Sequence, residues 1–274
     1  MTGKRAAPTR ALQEDEYFNQ EDGLIYCALC HTPRQIVVSM PGRELIPNVP
    51  CRCRQERLDA EQEVRRRAEH MRKVESLRAS CLQDRALRDY NFAHDLGYTP
   101  ELEKAHAYVE HFAKMEADST GLLLWGGVGT GKSFFAGCVA NALIEQNIPV
   151  LMTNFARVLN TLTGMHPEER NQFIDSLNAY RLLVIDDLGM ERGTEFALEQ
   201  VFHVIDSRYR SKKPMIVTTN LSLQELKNPD DLAHERIYDR VLERCVPIRI
   251  NGRNIRADNA VAQLEAVRPI LCTS

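Results

Sequence analysis

From residue 122 onward, short and continuously apolar runs alternate with longer stretches of helical periodicity. The runs LLLW (122–125), VLMT (150–153), LLVID (182–186), MIVTT (215–219) and VPIRI (246–250) lack the in-out alternation of half-exposed strands and read as strands buried on both faces. Helical patterns fill the intervals near 132–146, 155–163, 168–179, 194–211 and 232–244. Five strands joined by helical crossovers predict a three-layer α/β domain with a mostly parallel sheet. Upstream, Val64, Ala68, Met71, Val74, Leu77 and Cys81 step by 4, 3, 3, 3 and 4 residues, which predicts one helix. Such a helix either lies against the main domain or self-associates as a coiled coil. The chain therefore divides into a turn-rich module (1–55), a helical linker (56–88) and the α/β domain (89–274).

Composition narrows this picture. In 274 residues, 35 Lys and Arg against 38 Asp and Glu leave a formal charge of −3, which excludes a uniformly basic nucleic-acid coat. The polar N-terminus lacks the apolar core of a secretory signal, and no apolar run is long enough for a bilayer. A cytoplasmic, reducing setting is the expectation, with cysteines as thiols or metal ligands.

GGVGTGKS at 126–133 fits G-x-x-x-x-G-K-[ST], after a predicted strand and opening a predicted helix, the context the pattern requires. A loop that wraps a polyphosphate aims successive backbone N–H groups inward and needs residues free of a Cβ. Gly126, Gly127, Val128, Gly129, Thr130 and Gly131 are expected to form that cradle for the phosphates of a nucleotide, with Phe134 just inside the helix. Lys132 is expected on the β- and γ-phosphates and the Ser133 hydroxyl on Mg²⁺. LLVIDDLG (182–189) ends a strand in two carboxylates, 54 residues after Lys132 (186 minus 132). Asp186 is expected to hold Mg²⁺, and Asp187 to orient or deprotonate the attacking water. At the end of another strand, Asn220 either hydrogen-bonds that water and the γ-phosphate or caps a helix starting near Ser222. Arg236, Arg240 and Arg244 share one helical face. They form either a solvated row or an arginine finger for a neighbouring subunit, worth about 10³–10⁵-fold in rate. A guanine-reading [NT]-K-x-D and an LSGGQ-like signature are both absent.

Together these motifs resemble the AAA+ ATPases of the DnaC/DnaI helicase-loader and IstB transposition-helper group. YDRVLERCVPIRINGRNIR (238–256) is similar to that group's C-terminal segment. The resemblance implies a sheet order of 5-1-4-3-2, with ATP sandwiched between self-associated subunits. It makes Arg240 the finger and Arg253 or Arg256 the C-terminal phosphate-sensing arginine. DYNFAHDLG (89–97) is similar to a stretch near adenine, which suggests Tyr90 or Phe92 there, or a plain core role. Asp187 stands where many AAA+ enzymes carry Glu, so slow ATP hydrolysis is expected. Only 18 residues follow Arg256 (274 minus 256), too few for a full helical lid. The implied function is loading of a hexameric replicative DNA helicase onto single-stranded DNA. Phe155, Arg157 and Arg170, after the second strand of the α/β domain, are candidates for DNA contact. The alternative is an IstB-like transposition helper on duplex DNA.

Cys27-x-x-Cys30 and Cys51-x-Cys53 resemble a four-thiolate zinc ribbon, with Zn–S bonds of about 2.3 Å. His31 is an alternative ligand, and four free thiols are the plain reading. So few large apolar residues in this stretch require a metal for a fold. Loaders of this group engage the helicase through a zinc-bearing N-terminal module, and the resemblance implies the same role here. Residues 51–90 hold 11 basic and 8 acidic residues, so a solvated helix face is favoured there over a DNA-binding one.

Overall fold

A computed structural model describes residues 10–82, 84–95, 97, 100–189, 194–252 and 254–271. The chain divides into two compact units, Met1–Met71 and Arg72–Ser274.

In the first unit, β1 (Glu16–Asn19) and β2 (Leu24–Cys27) form an antiparallel hairpin, and β3 (Val38–Met40) pairs with β4 (Arg43–Leu45) in a second one. Asp22 shapes the first turn by accepting from the Leu24 N–H at 3.0 Å and the Tyr26 hydroxyl at 2.6 Å. Ile25, Cys27 and Cys51 are buried, whereas Leu29, Ile36, Met40 and Ile46 are exposed. An interior this small cannot offset the entropy of ordering the chain by apolar burial. Helix α1 (Arg52–Cys81) starts in this unit and ends in the second. The Arg65-Arg66-Arg67 run is paired along α1 with Glu63 and Glu69. Exposed pairs of this kind contribute about 0.3–0.5 kcal/mol each.

The second unit continues with α2 (Leu102–Glu110), α3 (Phe112–Ala117), β5 (Gly121–Trp125), α4 (Lys132–Glu145), β6 (Val150–Asn154), α5 (Phe155–Thr163), α6 (Pro167–Ser176) and β7 (Leu182–Leu188). It ends with α7 (Glu195–Arg210), β8 (Met215–Thr219), α8 (Leu223–Lys227), α9 (Leu232–Arg244), β9 (Cys245–Arg249) and α10 (Ile255–Leu271). The sheet order is β6-β7-β8-β5-β9, every pairing parallel. Counted within this domain, that is the expected 5-1-4-3-2. Leu122 and Leu124 pack with α2 and α4 on one face, while Leu123 packs with α5, α7 and α9 on the other. Double-sided burial is why these strands read as unbroken apolar runs.

Two local features differ from the periodicity. The run VPIRI is expected to be buried on both faces, yet Val246, Pro247 and Arg249 are exposed because β9 is an edge strand that, among the described residues, pairs with β5 alone. The helix expected over 168–179 starts at Pro167 and gives way to a 3-10 turn at Leu177–Ala179. Pro suits the first helical position because that N–H has no partner within the helix.

Arg208, fully buried, donates to the carbonyls of Tyr180, Arg181 and Pro214 at 2.7–3.2 Å and so ties the entrances of β7 and β8 together. Burial pulls its pKa down to about 10, which still leaves it charged at neutral pH. Among the described residues, no helix is long and apolar enough to cross a membrane.

Candidate nucleotide site and thiolate centre

The loop between β5 and α4 takes the shape that a polyphosphate cradle needs. Gly126 and Gly129 sit at φ 148° and 77°. A Cβ on Gly126 would lie 2.4 Å from the Ile250 carbonyl oxygen, and one on Gly129 would lie 2.1 Å from Asn254 Oδ1. Only glycine fits either position. Thr130 closes the loop by donating to the Gly127 carbonyl at 2.9 Å. Lys132 opens α4 with its side chain buried, and its Nζ donates to the Gly126 and Gly127 carbonyls (3.0 and 2.7 Å) and to Asn220 Oδ1 (2.7 Å). Residues 88 positions apart are thereby joined at the C-terminal edge of the sheet, where ligands of open α/β sheets bind.

The second pairing is Ser133 with Asp186. The Ser133 hydroxyl lies 2.9 Å from both carboxylate oxygens, the donor pair that the Mg²⁺ reading requires. Asp187 occupies a left-handed backbone position (φ 61°) at an irregularity in the β7–β8 register. Thr218, fully buried, accepts from the Asp187 N–H at 2.9 Å and donates to Asp186 Oδ1 at 2.5 Å. One hydroxyl thus holds the Asp186 carboxylate and the Asp187 backbone. Sequence reasoning missed Thr218; the available signal was a pair of threonines closing an otherwise apolar strand.

Asn220 is not the cap of the following helix. Ser222 caps α8 in a reciprocal box with Glu225, which leaves the Asn220 amide to Lys132. Beside them lies a cavity of about 350 Å³ lined by Trp125, Gly126, Gly127, Thr130, Asn220 and Arg249, among others. Arg249, also missed, sits over the Trp125 ring at 5.3 Å.

Other expected residues lie elsewhere. Arg240 is held within its own subunit: Nε donates to Asp206 at 2.8 Å, Nη1 donates to the Arg236 carbonyl at 2.9 Å, and the guanidinium rests 4.8 Å from the Phe202 ring. Arg236 is exposed, and Arg244 sits over Tyr209 at 4.6 Å. Arg253 lies outside the described residues, and so does the side chain of Arg256 in α10. Tyr90 packs edge-on against Phe134 at 5.6 Å, and a Cβ on Gly137 would meet its ring at 2.6 Å. Asn141 holds this segment by donating to the Leu87 and Tyr90 carbonyls. Phe92 stacks on His106 at 3.7 Å.

The DNA-contact reading needs correction at two positions. Phe155 is buried between the sheet and α5 and cannot stack on a base. Arg170 donates to the carbonyls of Leu162 and Met165, both at 3.0 Å, and so caps the end of α5. Arg157 borders a small cavity that also touches Asn154 and Asp186.

In the N-terminal unit, the Sγ atoms of Cys27, Cys30, Cys51 and Cys53 all lie within 4.8 Å of one another. The Cys27–Cys53 and Cys51–Cys53 separations are 3.7 and 3.5 Å. Tetrahedral Zn²⁺ would space its sulfurs about 3.8 Å apart, so the set fits a tetrathiolate centre. The thiols also fit it chemically. The Thr32 hydroxyl draws the Cys30 thiol down to about 5, while Cys51 and then Cys30 push Cys53 up to about 12. Four adjacent sulfurs cannot all shed their protons without a cation among them. His31 is not in the donor group; its backbone makes the left-handed turn after Cys30 (φ 54°) and its ring lies beside Tyr17. Elsewhere, burial raises the thiols of Cys138, to about 12, and of Cys245.

Comparison with known proteins decides the family. A family model described as "IstB-like ATP binding protein" matches residues 53–262. The chain belongs to that family. Family resemblance extends to the "Replicative helicase loader DnaI" of Bacillus subtilis (strain 168), 27% identical over 210 residues, covering 70% of this chain and 67% of that protein. The "Replicative helicase loader DnaC" of Escherichia coli (strain K12) is 27% identical over 148 residues, covering 53% of this chain and 58% of that protein. The match therefore spans less than two-thirds of the E. coli relative's length. Among solved structures, that of DnaI superposes with a TM-score of 0.51 at 24% identity, over 63% of this chain and 93% of that one. This family member thus has the α/β P-loop fold of the AAA+ proteins.

Proposed function

We propose that this protein binds and slowly hydrolyses ATP, and that it uses the cycle to load a hexameric replicative DNA helicase onto single-stranded DNA. The observation that carries the enzymatic part is the double junction of the phosphate loop: Lys132 with Asn220, and Ser133 with Asp186. In this reading Lys132 exchanges its loop carbonyls for the β- and γ-phosphates, and the loop N–H groups hold the remaining oxygens. Asn220 and Asp187 orient the attacking water, and Asp187 accepts its proton. Ser133 and Asp186 are the residues that would hold Mg²⁺, which when bound neutralises phosphate charge. Arg240 completes a neighbour's site by leaving Asp206 on assembly. Zinc held by Cys27, Cys30, Cys51 and Cys53 would fold the module that engages the helicase. The names of the relatives support the helicase as partner.

The test of the enzymatic part is ATP turnover with and without single-stranded DNA. Lys132→Ala should lose at least about 100-fold, on the scale of one removed transition-state contact; equal rates for wild type and variant would end the ATPase reading. For the partner, the full chain should retain a replicative helicase on a column and Cys27→Ser should not; no retention by wild type would overturn the loader reading. The family match favours one second reading, a transposition helper. ATP-dependent filaments on duplex DNA without helicase contact would select it.

A further inference from the structure

The thiolate centre has a charged neighbour that its sequence motif does not contain. Arg34 is nearly buried, with 10% of its side chain exposed. Its Nη2 donates to Cys27 Sγ at 3.6 Å and to Asp15 Oδ2 at 2.5 Å, while Nη1 donates to Asp15 Oδ1 and Glu16 Oε1, both at 3.2 Å. Glu16 is itself pinned by Arg10 at 2.8 and 2.9 Å and by the Gln13 N–H at 3.1 Å. The backbone of Arg34 joins the two cysteine segments, since its N–H donates to the Ile25 carbonyl at 2.7 Å and its carbonyl accepts from the Val49 N–H at 2.8 Å.

We infer that Arg34 is a positioning residue of the thiolate centre, donating a charged N–H···S hydrogen bond to Cys27 and thereby slowing loss of a bound metal. The inference rests on the zinc reading above. Four thiolates on one Zn²⁺ carry a net charge of about −2, and such charge is costly near the low-dielectric side of a fold. A guanidinium draws electron density from the sulfur it touches. Asp15 and Glu16 hold the fork in place, so little side-chain entropy remains to be lost when the metal binds. Lysine, a point charge on a flexible stem, could not grip two carboxylates and a sulfur at once. Partners of this outer kind typically change metal affinity about 10–100-fold.

The test uses the full-length protein. Metal analysis comes first: about one zinc per chain is expected, and a zinc-free protein would overturn the zinc reading and this inference with it. Zinc transfer to a chromogenic chelator is then timed for wild type, Arg34→Gln and Arg34→Lys, and each is also loaded with Co²⁺ for its sulfur-to-metal absorption band. Arg34→Gln should release zinc about 10–100-fold faster and move the band to lower energy, and Arg34→Lys should do the same to a smaller degree. Tyr26→Phe, which removes a hairpin hydrogen bond without touching sulfur, should change neither. Unaltered release and band in both Arg34 variants, at one zinc per chain, would overturn the inference while leaving the zinc site standing. If Arg34→Gln fails to fold, the band of Arg34→Lys decides the matter.

Discussion

The two units of this chain solve the same problem with different materials. In residues 72–274 a parallel sheet is covered on both faces, and residues such as Leu123, Val139, Leu143 and Ile205 are fully buried. At about 25 cal/mol per Å² of apolar surface removed from water, that interior holds the domain. Residues 10–71 have no comparable interior. Apolar side chains such as Leu29, Met40 and Ile46 face solvent, and beside Ile25 the inward groups include sulfurs, Arg34 and Glu16. Where packing dominates, stability is spread over many contacts. Where charge and sulfur dominate, it rests on a few groups and on what binds them.

The largest effect should come from metal removal. Structural zinc in small modules contributes apparent binding energies of about 10–16 kcal/mol. Chelation of the full chain should therefore open residues 10–71 to protease while the main thermal transition of the α/β unit stays in place; protection that survives chelation would dissolve the contrast. Next comes Leu143→Ala, from the face packed against α2 and β6. It should cost about 2–5 kcal/mol in denaturant melts of the α/β unit and leave the metal content unchanged. A loss below 1 kcal/mol would mean that this core is not close-packed.

Thr218→Val tests the site rather than the core. It replaces a hydroxyl with a methyl of similar size and strips one partner from each of Asp186 and the Asp187 N–H. Stability should fall by about 1–3 kcal/mol and ATP turnover by more than tenfold, with the Kd for ATP less affected. Unchanged turnover would show that Asp186 and the Asp187 backbone hold their places without Thr218.

The smallest effect is a pH dependence confined to the first unit. Arg10, the Gln13 N–H and Arg34 hold the Glu16 carboxyl down at about 2, against an ordinary 4.5. Since the folded value is the lower one, the stabilisation is fully present above about pH 4.5 and is lost as pH falls towards 2. The stability difference between wild type and Glu16→Gln should be constant above that window and vanish through it; a difference that grows on acidification would reverse the sign of the argument.

Much of the candidate nucleotide site was legible because its demands are local. A loop with three positive-φ glycines, a lysine at a helix start and a carboxylate pair closing an apolar strand are each written in a few consecutive residues, and their spacing follows from chain connectivity. The four cysteines were legible for the same reason. Asn220 was ambiguous, and Ser222 settled it by forming the capping box itself. What stayed hidden depends on residues far apart in the chain. Thr218 matters only because β8 lies beside β7, and Arg240 meets Asp206 only because α9 packs on α7. Phe155 looks like a stacking platform until α5 turns it into the core.

The sequence by itself determined the strands, the phosphate loop, the carboxylate pair and the cysteine set, because backbone strain, double-sided burial and metal-ligand spacing constrain neighbours along the chain. Tertiary structure alone decided which hydroxyl holds Asp186 and the Asp187 backbone, which arginines are already engaged, and which guanidinium stands behind a sulfur. Those outcomes depend on angstrom-scale distances between side chains that only the packed fold brings together.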